Sequence, residues 1–323
     1  MKKLVFITRN ILPDGLNLLR SHGFEVKINL LDRPLNEEEL SFEAQNAFAL
    51  ITMLSDRIDA PFLERNSHLK VISNYAVGFN NIDVAKAHEL KIIIGNTPEV
   101  LTEATAEFAL GLMISVARNF SSSHQAASMG LWRDWNPTAF LGHSLKGKTL
   151  GIVGLGRIGL RLAQMCAHAF DMNIIYCGPR QKINSLGAQY VSLPTLLGQS
   201  DFISLHVPLN EETRHLIGRE ELVLMKKNCI LINTARGEII DQEALIEALE
   251  RKQIYGAGLD VTTPEPLNPD DKLFQLDNVL VIPHIGSASL QARAAMSILS
   301  AQNIIAAFEG GELPGRVNPK ADN

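Results

Sequence analysis

Three residues far apart along the chain have side chains that could do chemistry together: Arg236 in Asn233-Thr234-Ala235-Arg236-Gly237, Glu265 in Thr263-Pro264-Glu265-Pro266, and His284 in Pro283-His284-Ile285-Gly286. A guanidinium can hold a carboxylate through a two-pronged charged hydrogen bond and can also polarise a neighbouring carbonyl. An imidazole, with an unperturbed pKa near ~6.5, needs little adjustment to donate a proton at neutral pH. Glu265 precedes the histidine by 19 residues. Paired with the ring, its carboxylate would favour the protonated imidazole and fix its orientation. The prolines on either side of Glu265 stiffen the loop that presents it.

A second constellation is Gly154-Leu155-Gly156-Arg157-Ile158-Gly159, which follows an apolar run and opens a helical stretch over 157–170. Alone, GxGxxG is a weak signal, but strand before and helix after is the context of a dinucleotide loop. Gly154 permits the tight turn, Gly156 lets the backbone approach a pyrophosphate, and Gly159 lets helix and strand pack closely; the helix N-terminus then faces the phosphates. The following strand should end in Asp or Glu if the adenosine ribose carries a free 2′-hydroxyl. The chain has Cys177-Gly178-Pro179-Arg180-Gln181-Lys182 there instead. With no carboxylate and with Arg180 and Lys182 nearby, a 2′-phosphate is favoured. NADP(H) is therefore the preferred cofactor, with NAD(H) still possible. Joined to such a cofactor, the guanidinium and imidazole suit hydride transfer to a small 2-oxo acid.

These residues need elements to position them. The first hundred residues alternate strand-like runs (4–8, 25–29, 49–53, 70–74 and 91–95) with amphipathic stretches (15–21, 37–45, 61–65 and 82–89). Such alternation predicts a parallel sheet with crossover helices. A helix is expected over 103–120, capped by Thr102 and apolar on several faces, and 121–147 reads as irregular. From Lys148 the alternation restarts with six runs, 149–153, 173–177, 202–207, 229–233, 257–261 and 279–283. Their continuous Val/Ile/Leu character suits strands buried on both faces. Residues 287–309 read as a helix. Ligands of an open α/β sheet sit beyond the carboxyl ends of its strands. The residues at or just after the ends of the six runs are the glycine loop, Gly178 to Arg180, Val207-Pro208, Thr234-Ala235-Arg236, Asp260 and His284 to Gly286. All are expected at the cofactor or substrate, Asp260 at the nicotinamide carboxamide.

Of the 323 residues, 46% are hydrophobic and 20% charged, and 30 Lys and Arg against 35 Asp and Glu leave a net charge of −5. These values exclude wholesale disorder and lend a nucleic-acid partner little support. The two lysines at the start precede an apolar run too short for a signal peptide. No stretch of about 18 apolar residues exists to span a membrane. Cys166, Cys177 and Cys229 have no CxxC or metal-ligand spacing, so no metal is expected and a reducing cytoplasmic location is the default.

Taken in order, 74–83 (NYAVGFNNID), Asn96-Thr97-Pro98, the glycine loop with its strand, 233–237, Gly258-Leu259-Asp260-Val261 with Pro264-Glu265-Pro266, and 283–288 resemble the D-2-hydroxyacid dehydrogenases over nearly the whole length. Within that family the chain is most similar to glyoxylate/hydroxypyruvate reductases. The resemblance implies two doubly wound parallel-sheet α/β domains with a cleft between them. One is a flavodoxin-like substrate domain formed by 1–100 and 287–323, the other a Rossmann cofactor domain formed by 101–286. It implies Arg236 for substrate binding, His284 as acid/base with Glu265 as its partner, and a substrate carboxylate held by the N–H groups of Val77 and Gly78, with Leu54 nearby. It also implies a homodimer. One departure concerns the pocket: where related glyoxylate reductases carry Trp two residues after the proline matching Pro137, this chain has Ala139 and then Phe140. The pocket is then either roomier or filled by Phe140. Two other readings share the fold: a nucleotide-sensing interaction protein resembling the C-terminal-binding corepressors, and a dehydrogenase for a bulkier 2-hydroxy acid.

Overall fold

A computed structural model describes residues 3–183 and 186–318. The chain forms two compact units, one of Met1–Leu101 with Ser287–Asn323, the other of Thr102–Gly286.

The first unit alternates β1 (Leu4–Ile7), α1 (Pro13–Ser21), β2 (Glu25–Ile28), α2 (Glu37–Ala44), β3 (Ala49–Thr52), α3 (Ala60–Arg65), β4 (Val71–Asn74), α4 (Val84–Glu89) and β5 (Ile93–Gly95). All pairings are parallel, in the order β2-β1-β3-β4-β5, the doubly wound order of flavodoxin-like folds. β3 and β4 lie buried along their whole length, their polar side chains Thr52, Ser73 and Asn74 included. Asparagine and aspartate start three of the helices: Asn36, Asp59 and Asp83 each accept from a first-turn N–H.

The second unit comprises α5 (Thr102–Ala117), α6 (Phe120–Ser128), β6 (Thr149–Val153), α7 (Arg157–Phe170), β7 (Asn173–Cys177), β8 (Gln189–Tyr190), α8 (Leu193–Gln199), β9 (Phe202–Leu205), α9 (Arg219–Leu224), β10 (Ile230–Asn233), α10 (Gln242–Glu250), β11 (Gly256–Leu259) and β12 (Val279–Val281). Its seven strands are parallel in the order β12-β11-β10-β9-β6-β7-β8. The order reverses at β6, which puts the switch point where the glycine loop leaves the sheet. The helix expected over 103–120 ends at Ala117, because Asn119 turns into the left-handed region (φ 54°) and starts α6. Asparagine adopts that conformation more readily than most residues. Part of the segment expected to be irregular is therefore helical.

The last helix, α11 (Leu290–Glu309), starts at Ser289, whose side chain accepts from Ala292 N–H, and returns to the first unit against α1 and β4. Buried polar side chains hold it there. Ser297 Oγ accepts from Gly15 N–H (2.9 Å) and donates to the Leu12 carbonyl (2.7 Å). Asn303, fully buried, donates to Ser73 Oγ (3.1 Å) and the Asn96 carbonyl (3.0 Å) and accepts from Gly315 N–H (2.9 Å). Asn303→Ala strands that N–H and that carbonyl in the interior. It is expected to lower the stability of this unit by about 2 kcal/mol, read from its urea unfolding transition; an unchanged midpoint would show that α11 is held by apolar packing alone.

Candidate active site

The glycine loop lies between β6 and α7. Gly154 sits at φ +95°, and a Cβ there would come within 2.8 Å of the His206 carbonyl group. A Cβ on Gly159 would meet the Gly154 oxygen at 2.5 Å, so only glycine lets the helix start this close to the strand. Over Gly156 nothing lies within 4 Å. Arg157, Ile158 and Gly159 form the first turn of α7, which no side chain caps. An uncapped helix start beneath open space is the cradle a pyrophosphate needs. Val207 and Pro208 follow β9. Thr234, after β10, has a buried hydroxyl with no partner in the protein, which suits a ligand group arriving at that strand end. These residues fit a dinucleotide.

Arg180 lies exposed beyond β7. Lys182 is tied into the fold: its Nζ donates to the Leu155 carbonyl in the glycine loop (2.9 Å), and its backbone N–H and carbonyl both bond the Tyr176 hydroxyl (2.8 and 2.9 Å). The two cations grouped together in the sequence are thus in different situations.

The structure brings Arg236, Glu265 and His284 together at the carboxyl ends of β10, β11 and β12. Nδ1 of His284 pairs with Glu265 Oε1. A carboxylate only accepts, so Nδ1 carries the proton of that bond and Nε2 is left for other work. Arg236 is half-buried, and burial lowers its pKa against the opposing pull of Glu265 and Glu238. Its Nη1 donates to the Ala235 carbonyl (2.6 Å). Asn233 shapes the turn below it, accepting from Ala235 N–H (3.0 Å) and donating to the Arg236 carbonyl (2.8 Å). A Cβ on Gly237 would lie 2.1 Å from the Thr262 carbonyl oxygen, so glycine there allows the Arg236 and Glu265 loops to touch.

Asp260, almost fully buried, spends its two carboxylate oxygens on the backbone. Ile285 N–H donates to Oδ1 (2.7 Å) and Gly286 N–H to Oδ2 (2.8 Å), while His284 N–H donates to the Asp260 carbonyl (2.9 Å). Burial raises its carboxyl pKa, and those two N–H groups oppose the rise. The residue expected at the nicotinamide thus holds the histidine loop, in which His284 stands at φ +51°. Asn233, Gly237 and this use of Asp260 were missed in the sequence, where only the Asn beside the Thr-Ala-Arg-Gly turn gave a hint.

On the first unit, Leu54 follows β3, and Val77 and Gly78 lie in the loop after β4. Among the described residues, no acceptor in the protein meets the N–H of Val77 or Gly78.

Beneath the glycine loop, His206 bonds Ser204 Oγ through Nε2 (2.9 Å), and burial pushes its pKa down to about 4. An unfolded chain takes up this proton near ~6.5. Stability from this residue is therefore complete at neutral pH and is lost as the pH falls from about 6.5 towards 4. Between about pH 7 and pH 4.5 the loss is expected to be about 2 kcal/mol larger for the wild type than for His206→Gln. Urea midpoints for both proteins at both pH values check it, and parallel changes would remove the assignment.

A family profile described as D-isomer specific 2-hydroxyacid dehydrogenase, NAD binding domain, matches residues 110–286. The chain is 46% identical over 321 residues to a glyoxylate reductase of Thermococcus litoralis, covering 97% of this chain and 96% of that one. It superposes on the crystal structure of the TT0316 protein of Thermus thermophilus with a TM-score of 0.91 and 43% identity, over 98% of this chain and all of that one. It also superposes on an NADPH-dependent glyoxylate/hydroxypyruvate reductase of Sinorhizobium meliloti, solved with NADP and malonate, with a TM-score of 0.86 and 30% identity over 98% and 97% of the two chains. The chain belongs to the D-isomer-specific 2-hydroxyacid dehydrogenase family, and is an oxidoreductase with a nicotinamide-dinucleotide-binding domain.

Proposed function

We propose that this protein is an NADPH-preferring reductase of small 2-oxo acids, glyoxylate and hydroxypyruvate above all, giving D-2-hydroxy acids. The observation that carries the proposal is the His284–Glu265 pair beside the half-buried Arg236, on the strand ends that also bear the glycine loop. A bound reduced nicotinamide supplies the hydride for the carbonyl carbon. Arg236 holds the substrate carboxylate and polarises the carbonyl, and Nε2 of His284 gives its proton to the carbonyl oxygen as the hydroxyl forms. Glu265 keeps the other ring nitrogen protonated and the ring aimed. The N–H groups of Val77 and Gly78 are further donors for the carboxylate, with Leu54 contacting the substrate.

Gly154, Gly156, Arg157, Ile158 and Gly159 take the pyrophosphate. Val207, Pro208, Thr234, Ala235, Asp260 and Gly286 line the rest of the dinucleotide. Arg180 takes the 2′-phosphate, supported by the absence of a carboxylate after β7. The S. meliloti neighbour, NADPH-dependent by its description, supports the same preference.

A homodimer is supported by the apolar side chains exposed on one segment of the second unit, among them Met129, Trp132 (76%), Trp135 (83%) and Leu141; such a patch suits a partner surface. The three cysteines are free and buried, which suits a reducing cytoplasm.

His284→Gln is expected to lower kcat with glyoxylate by ~10²-fold or more while leaving dinucleotide binding intact, the latter measured by fluorescence titration. Wild-type turnover in that variant would remove the histidine from the chemistry. Arg180→Ala is expected to raise KM for NADPH about tenfold, as loss of a charged hydrogen bond does, and KM for NADH far less. Equal losses for the two cofactors in steady-state kinetics would refute the 2′-phosphate role.

A further inference from the structure

The loop that follows β7 is fastened at both ends and then tied to the glycine loop. Tyr190, on the short edge strand β8, donates its hydroxyl to the Gly178 carbonyl (2.9 Å). The Tyr176 hydroxyl, from β7 itself, accepts from Lys182 N–H (2.8 Å) and donates to the Lys182 carbonyl (2.9 Å), two roles that one phenol can play at once. The two rings are neighbours, with centroids 5.4 Å apart. With its backbone set in this way, Lys182 turns its side chain back 27 residues along the sequence, and Nζ donates to the Leu155 carbonyl (2.9 Å). Leu155 stands between Gly154 and Gly156. The peptide joining it to Gly156 is therefore held on both sides, its oxygen by Lys182 and its N–H by the Gly154 carbonyl (2.8 Å). The next residue, Arg157, begins α7. A further bond, from Gly154 N–H to the Cys177 carbonyl (3.0 Å), joins the ends of β6 and β7.

We propose that Lys182 is a positioning residue for the dinucleotide: it ties the loop after β7 to the glycine loop and so fixes the peptide from which the start of α7 departs. This rests on the reading of residues 154–159 as the pyrophosphate cradle. A cradle of N–H groups binds well only when they are already aimed, because ordering them on binding costs affinity. The ammonium also leaves its charge beside the glycine loop, where it attracts an anion. Both effects act on the pyrophosphate, which NADPH and NADH share. Arg180, exposed two residues earlier, is left to meet the 2′-phosphate. The two cations thus divide the task, Arg180 distinguishing the cofactors and Lys182 serving both.

The test is Lys182→Met, which keeps the apolar stem and removes donor and charge, with Lys182→Arg as the rescue, since a guanidinium can still donate to the carbonyl. Lys182 lies at the surface, so both variants are expected to fold. In fluorescence titrations, Lys182→Met is expected to raise Kd for NADPH and for NADH by the same factor, about tenfold, as loss of a hydrogen bond from a charged group does. Lys182→Arg should restore most of that affinity. KM for glyoxylate, and kcat at saturating cofactor, should move by less than about twofold, because the tie touches neither substrate nor reacting atoms. In the cofactor-free proteins, an arginine-specific protease is expected to cut after Arg180 several-fold faster in Lys182→Met than in the wild type, as a loosened loop opens more often. Unchanged affinity for both cofactors, or cleavage at the wild-type rate, overturns the tie and leaves the reductase reading standing. A loss for NADPH far larger than for NADH overturns it in favour of a second 2′-phosphate contact. A fall in kcat as large as the loss of affinity, or no rescue by arginine, overturns it in favour of a merely structural role. A wild type that binds neither dinucleotide overturns the cradle reading as well.

Discussion

The chemistry of the second unit hangs on one buried carboxylate. Asp260 could be interred there only because two backbone N–H groups meet it, and without them an ionised carboxylate in that position would be prohibitively unfavourable. The same two bonds dictate the path of the chain through residues 284–286. They hold His284 in the left-handed region, which most residues other than glycine avoid by about 1 kcal/mol or more. The imidazole is therefore restrained twice and independently. Asp260 decides where its Cα stands, and Glu265 decides how the ring is turned.

The first unit solves a related problem with neutral groups. A parallel sheet gathers all of its carboxyl ends on one edge, so the loops after β3 and β4 are brought close whatever their sequence. What the sequence adds is a set of side-chain amides, Asn74, Asn81 and Asn96, that bond loop carbonyls. The loop is then rigid on its carbonyl side and unoccupied at the N–H groups of Val77 and Gly78. In both units the backbone is secured through one of its polar groups so that a neighbouring group is aimed.

Much of this was legible in the sequence, for physical reasons that can be located. β6 and β7 match the expected runs to the residue, because strands buried on both faces must be apolar throughout. β9, β11 and β12 were expected to run two residues too far, since the apolar character of Val207, Val261 and Ile282 continues past the last paired residues. β8, only Gln189–Tyr190 and exposed at the sheet edge, carries no apolar pattern at all. The glycine loop and the Arg, Glu and His positions could be read because each follows a strand. The work of Asp260 and Asn96 could not, since both act through backbone groups 19 to 26 residues away, and nothing in their own neighbourhood announces the partner.

On the proposed reading two kinds of donor receive the substrate carboxylate, and their physics differs. Arg236 brings a full charge, and its partial burial works against that charge, as the downward pressure on its pKa reflects; Glu265 and Glu238 offset the penalty. A guanidinium remains protonated under such pressure, so it keeps its attraction for an anion while its geometry is set by the Asn233 turn. The N–H groups of Val77 and Gly78 carry only partial charges. They need no counter-ion and lose little on desolvation, but a peptide dipole attracts only along its own direction. A misaimed arginine can still reach its anion by rotating its long side chain, whereas a misaimed peptide cannot. That asymmetry fits the way side-chain amides in the first unit hold the carbonyls of Met53, Asp56, Val77 and Gly78.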